Sequence, residues 1–108
     1  MKQKTVIPRE MARLDVEAAI DYFLAQGPGN IAQGFIDALE QTYARVSHYP
    51  EGGSLRYAHE LGIDGLRFAR LGRYPWLVFY VEQAEHIEIW RVLHEKRDIP
   101  GYLRSDPA

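Results

Sequence analysis

LRFARLGRYPWLVFYVEQAEHIEIWRVLHEKRDIP, residues 66–100, holds three short apolar runs with turn chemistry between them. The first covers 66–71. Gly72, Tyr74 and Pro75 part it from an aromatic and β-branched run over 76–82, and Gln83-Ala84-Glu85 parts that from a third over 86–93. Such residues fit a pleated surface, and links this short suit hairpins. The spacing predicts an antiparallel meander over 66–93. Alternation sets Leu77, Phe79 and Val81 on one face of the middle strand, and Trp76, Val78 and Tyr80 on the other. In the last strand Ile87, Ile89, Arg91 and Leu93 oppose Glu88, Trp90 and Val92. Both faces are thus partly apolar, and both need cover.

Upstream, Thr5-Val6-Ile7 predicts a short edge strand within 1–7, closed by Pro8, a residue that also suits the first turn of a helix. Residues 9–26 repeat with helical period, placing Ala12, Val16, Ala19, Ile20 and Phe23 on one stripe. Gly27-Pro28-Gly29 breaks the pattern, and Asn30 is a suitable N-cap for a second helix. That helix carries Ile31, Phe35, Ala38, Leu39, Thr42, Val46 and Tyr49 at i, i+3, i+4 spacing and ends at Pro50-Glu51-Gly52-Gly53. Residues 55–65 read as a loop with room for a helical turn. The expected fold is α+β: a helical hairpin over 9–49, packed on one face of a small antiparallel sheet, in one domain spanning 1–108. One hairpin covers one face. The other awaits the tail over 94–108, a second copy of the chain, or a partner.

Composition narrows the function. There is no cysteine, so disulfides and thiolate metal sites are excluded. Met1-Lys2-Gln3-Lys4 is followed by no apolar signal-peptide core, and no apolar run approaches a membrane span, so a cytoplasmic protein is expected. Thirteen Lys and Arg stand against 15 Asp and Glu, a formal charge of −2. Proteins that live on nucleic acid usually carry a positive excess. The carboxyl half nevertheless concentrates arginine: Arg56, Arg67, Arg70, Arg73, Arg91, Arg97 and Arg104 stand beside a single lysine, Lys96. Guanidinium forks suit carboxylates and phosphates, although on strand edges they also serve as solvated charge.

No phosphate loop is present, since Gly27-Pro28-Gly29 and Gly52-Gly53 lack the glycine spacing and the Lys-Ser/Thr pair. His48, His59, His86 and His94 show no metal-binding spacing, and Ser47 and Ser54 sit in no nucleophile elbow. No cofactor or metal is expected. An Arg67, Arg73, Tyr80, Arg91, His94, Arg97 set around the sheet has the residue types for phosphodiester chemistry, with arginine stabilising the anion and histidine moving protons. Strict alternation puts Arg91 and His94 on opposite faces; a bulge, or an earlier end to the strand, would be needed to unite them.

These residues also carry a resemblance. Ala12-x-x-Asp15-Val16 with Ala19 and Tyr22, Ala32-x-x-Phe35-Ile36, Tyr49-Pro50 with Gly52, Leu66-Arg67-Phe68, Tyr74-Pro75 with Leu77-Val78-Phe79-Tyr80, and Ile87-x-Ile89 follow one another in the order of the RelE/ParE superfamily of type II toxins. The ending Arg91-Val92-Leu93-His94 with Arg97-Asp98 resembles the ParE branch most closely. The resemblance implies two helices on a small antiparallel sheet, a cognate antitoxin of ParD-like or other ribbon-helix-helix type whose carboxy-terminal segment wraps the toxin, and DNA gyrase as the target, reached by protein contact without catalysis. It implies target contacts at Arg91, His94 and Arg97 with the tail, and antitoxin contacts at Trp76, Tyr80 and Trp90 with Arg67 and Arg73. In the RelE-like alternative, a ribosome-dependent ribonuclease, Arg67, Arg91 and His94 would be catalytic. A third alternative is a non-toxic relic that acts only in an antitoxin complex.

Overall fold

The computed structural model describes residues 3–104. Residues 1–2 of the expected edge strand and 105–108 of the expected tail lie outside the described residues. Strand β1 (Thr5–Pro8) leads into helices α1 (Glu10–Gln26) and α2 (Gly29–His48). A single 3-10 turn (Pro50–Gly52) and a short helix, α3 (Arg56–Leu61), precede β2 (Leu66–Arg70), β3 (Trp76–Glu82) and β4 (His86–His94). Helix α4 (Ile99–Arg104) follows. The sheet order is β1-β4-β3-β2.

The meander forms as the sequence predicts, with β2, β3 and β4 antiparallel in turn. The edge strand joins in the other sense. Thr5 to Pro8 run parallel to His86 to Ile89, so the sheet is mixed. The cause is connectivity: the helical hairpin and the meander carry the chain across and back, which a parallel pair requires and a tight turn cannot supply. Asn30 is not the N-cap. Pro28 holds that place, α2 starts at Gly29, and the Pro28 carbonyl accepts from the Ile31 N–H at 3.1 Å. The expected loop over 55–65 contains α3, which Gly62 ends in the left-handed conformation (φ 67°) that glycine adopts without a Cβ clash.

The hairpin stripes meet the sheet as expected. Ala12, Ala19, Phe35, Leu39 and Val46 are buried against Val78, Tyr80, Ile87, Ile89 and Val92. Phe23, Phe35, Tyr74 and Trp76 form one aromatic cluster with ring centroids 5.1 to 5.8 Å apart. At the two ends of the α2 stripe, Ile31 and Tyr49 are exposed. The opposite face buries Leu66, Leu77, Phe79 and Leu93 under Ala58 of α3 and Ile99 and Leu103 of α4. Of the candidate covers for this face, the chain's own tail contributes Ile99 and Leu103, beside α3 with its Tyr57 and Leu61 and the flanking Leu55 and Ile63. Burying two branched side chains such as Ile99 and Leu103, each 2% exposed, contributes about 3–6 kcal/mol and holds so short a helix in place.

The faces of β4 differ from strict alternation. Phe79 pairs with Arg91 but Tyr80 pairs with Ile89, which leaves Trp90 as an inserted residue, a β-bulge. Ile87 and Ile89 face the hairpin, as alternation requires. Beyond the bulge the phase reverses, so Val92 faces the hairpin and Leu93 the second core.

Candidate functional site

β1 ends at Pro8, and the Arg9 N–H makes the last bond of that edge, to the Ile89 carbonyl at 2.9 Å. From Trp90 onward β4 has no strand beside it there. Asp15 of α1 takes over the role of a partner strand, its Oδ2 accepting from the Val92 N–H at 3.0 Å. The same carboxylate grips Arg91 with both oxygens, Nε at 2.8 Å and Nη2 at 2.9 Å. Arg91 also donates from Nη1 to the Tyr102 carbonyl of α4 at 3.3 Å, and its guanidinium lies 5.3 Å from the Tyr102 ring. At 4% exposure Arg91 ties β4 to α1 on one side and to α4 on the other. Such a pair is stable only because the fork is matched and desolvated as a unit.

Beside this clamp, α1, the start of β3, the end of β4 and α4 enclose a cleft of ≈ 500 Å³. Tyr22, Phe23 and Trp76 form its aromatic wall, and His94, Arg97 and Tyr102 its polar rim. His94 meets Trp76 edge to face at 4.7 Å. Its Nδ1 accepts from the Lys96 N–H at 3.1 Å, so the neutral ring carries its proton on Nε2. Arg97 donates to the Tyr102 hydroxyl at 2.6 Å from an exposed position. Tyr22 is 52% exposed, and Leu14, Ala18 and Tyr22 succeed one another at i, i+4 along the outer side of α1.

Of the three residues expected to contact the target, His94 and Arg97 share this cleft, while Arg91 sits behind it with its charge satisfied by Asp15. The trio expected of a ribonuclease is not assembled. Arg67 pairs with Tyr80 and His94 with Trp76, so the two stand about 13 Å apart along the strand direction alone. Arg67 is moreover engaged by the carbonyls of Glu51 (3.0 Å) and Gly53 (2.8 Å). The bulge at Trp90 precedes both Arg91 and His94 and cannot bring them to one face.

The residues expected to meet an antitoxin are scattered. Tyr80 is 1% exposed beneath the hairpin and donates its hydroxyl to the Pro50 carbonyl at 2.7 Å, so it presents no surface. That corrects the expected assignment: the face carrying Trp76 and Tyr80 is the one the hairpin covers. Trp76 keeps an edge in the cleft. Trp90 is half-buried on the other face, under the Arg9 guanidinium at 4.5 Å, with its indole N–H on Glu88 at 2.8 Å. Arg73 is exposed in the β2–β3 turn.

Asp15 is the clamp residue that periodicity alone passes over. Its signal is in the sequence: an acid adjoining Ala12, Val16 and Ala19 on an apolar stripe demands a buried cation. Tyr102 carries no such signal, because only the docking of α4 brings it to Arg91 and Arg97. Asp15 also acts on Tyr43, whose hydroxyl is pushed up to about 12, first by burial and then by that nearby negative charge. Among the described residues no cluster of acids and histidines could hold a metal ion, and no helix is long and apolar enough to cross a membrane.

A structure described as the chromosomal ParDE TA system from P. aeruginosa shares this fold at 16% identity, with a TM-score of 0.71, covering 87% of this chain and 98% of that one. A hairpin of helices on a four-stranded sheet is thus the fold that the two structures share. The family description of the ParE toxin of the type II toxin–antitoxin system parDE matches residues 6–99, and the chain belongs to that family. No curated protein sequence matches it.

Proposed function

We propose that this chain is a cytoplasmic toxin, neutralised by a cognate antitoxin of the ParD-like or another ribbon-helix-helix class, that inhibits DNA gyrase by protein contact and catalyses no reaction of its own. Its contact surface is the cleft rim formed by His94, Arg97 and α4. The observation that carries this reading is the disposition of the charges: Arg91 is sequestered by Asp15 and Arg67 lies far along the sheet, while an aromatic cleft with an exposed arginine stands open. Open aromatic surface beside a positive rim suits a protein partner better than chemistry on a phosphodiester. The apolar ridge Leu14, Ala18, Tyr22 beside it favours an antitoxin helix or extended segment as the neutralising cover.

The test is induced expression of the full chain in bacteria, read by growth and a DNA-damage reporter together. Arrest with the reporter on is expected, and co-expression of the antitoxin restores growth. Arg97→Glu, at an exposed position, is expected to abolish arrest while leaving the circular dichroism unchanged. Arrest with the reporter silent would overturn the gyrase reading in favour of RNA cleavage, and no arrest at all would identify a relic active only in its complex.

A further inference from the structure

Tyr102 touches two guanidiniums in opposite circumstances. Arg91 is 4% exposed, lies 5.3 Å from the ring centre and donates to the Tyr102 carbonyl at 3.3 Å. Arg97 is exposed at the cleft rim, lies 5.5 Å from the same ring centre and donates from Nη1 to the Tyr102 hydroxyl at 2.6 Å. Two bare cations gathered at one ring would repel each other. Asp15 removes that cost, because its two oxygens neutralise Arg91. The clamp thus leaves the ring and its hydroxyl able to hold a second arginine, the one that faces solvent.

The phenol is itself firmly seated. Its backbone N–H donates to the Asp98 carbonyl at 3.0 Å, in the first turn of α4. The Asp98 carboxylate accepts from the Gly101 N–H at 3.3 Å, and a Cβ at Gly101 would displace that carboxylate, so the cap depends on glycine there. Ile99 and Leu103 dock the same helix on the sheet. Arg97 is fixed at its root as well. Its own N–H donates to the His94 carbonyl at 3.0 Å in the turn that follows β4. Root and head are therefore both held, the head by a short bond from a charged donor. An exposed arginine otherwise samples many rotamers, and that freedom is lost when it meets a partner. Arg97 has no carboxylate in contact among the described residues, so its charge is kept for such a partner.

We infer that Tyr102 is the positioning residue of the rim: it presents Arg97 to the partner in one arrangement, and the Asp15–Arg91 clamp serves the contact through it. That the partner is gyrase rests on the function proposed above; the hold of Tyr102 on Arg97 does not. The test is Tyr102→Phe in the full chain, which removes the acceptor and keeps the ring beside Arg91 and the second core. Nitrogen-15 relaxation of the Arg97 Nε–Hε group by NMR reads the order of the guanidinium. In the unaltered chain that group is expected to be ordered. In Tyr102→Phe it is expected to become as mobile as Arg73, exposed in the β2–β3 turn, with the urea midpoint unchanged. An Arg97 as mobile as Arg73 in the unaltered chain, or one that stays ordered in Tyr102→Phe, would overturn the inference. Binding to gyrase is expected to weaken about two- to tenfold in Tyr102→Phe, the cost of ordering one such side chain on contact. In an Arg97→Ala background the same change is expected to cost nothing further. Equal losses in both backgrounds would show Tyr102 acting apart from Arg97 and would overturn the inference too. If the unaltered chain binds no gyrase, the target reading fails, and the relaxation measurement still decides whether Tyr102 holds Arg97.

Discussion

Arg91 shows why a charged residue near a functional surface need not be a functional contact. It is held by both oxygens of Asp15 and is almost wholly buried. Removing one member of such a pair strands the other in a dry environment. Arg91→Ala is therefore expected to lower the unfolding free energy by about 3–5 kcal/mol, whereas Asp15→Leu with Arg91→Met is expected to restore most of it, since apolar replacement of a whole buried pair is close to neutral. Urea titration of the three proteins checks both. Tyr43 gives the pH counterpart. Its folded-state value of about 12 lies above the ordinary tyrosine value of 10. The protonated ring's contribution is thus complete below pH 10 and is lost as pH rises towards 12, by about 2–3 kcal/mol. Tyr80, raised by burial, adds in the same direction. Urea midpoints measured between pH 9 and 12 should fall, and Tyr43→Phe should flatten the decline. At this scale the sequence was partly legible. His94 and Arg97, expected from the sequence as target contacts, line one cleft, while the silencing of Arg91 was hidden because its partner lies 76 residues away.

Among the elements, α4 has the largest influence for its length. Six residues close the second core through Ile99 and Leu103 and also place Tyr102 against Arg91 and Arg97. Leu103→Ala is expected to cost about 2–5 kcal/mol, measured by denaturant unfolding, and to increase binding of an apolar dye to the uncovered sheet face. Truncation after His94 would therefore remove core as well as rim, and a loss of toxicity in that variant would not separate the two; Arg97→Glu does. The strands and long helices were legible because apolar periods of 2 and 3.6 survive in the chain as written. The reversal of β4 at Trp90 was not. A bulge adds one residue to one strand, and nothing in Ile89-Trp90-Arg91 distinguishes that from continued alternation. For the same reason Tyr80 read as surface: period identifies two faces but not which one the hairpin takes.

At the scale of the molecule, the first strand and the last are neighbours, and the N-terminus is tied in on both sides. Lys4 donates to Glu82 at 2.7 Å and to the Gln83 carbonyl at 2.8 Å, and its own carbonyl accepts from Ser47. Deletion of residues 1–8 is expected to leave both helices formed but to open the outer edge of β4. A freed edge offers a row of unpaired donors and acceptors to another chain, so the deletion should produce concentration-dependent association, visible by light scattering, alongside a lower urea midpoint.

The β1–β4 pairing also bears on synthesis. Its partners lie about 80 residues apart. At about 5–20 residues per second, β1 waits on the order of four to sixteen seconds for the ribosome to make its neighbour. Its four-residue length and terminal proline limit what it can template in that interval. A chain cut short before residue 86, whether by a broken message or a stalled ribosome, has nothing for β1 to pair with and builds neither the Asp15–Arg91 clamp nor the cleft. Completion of the message is thus a precondition of assembly, imposed by strand order alone.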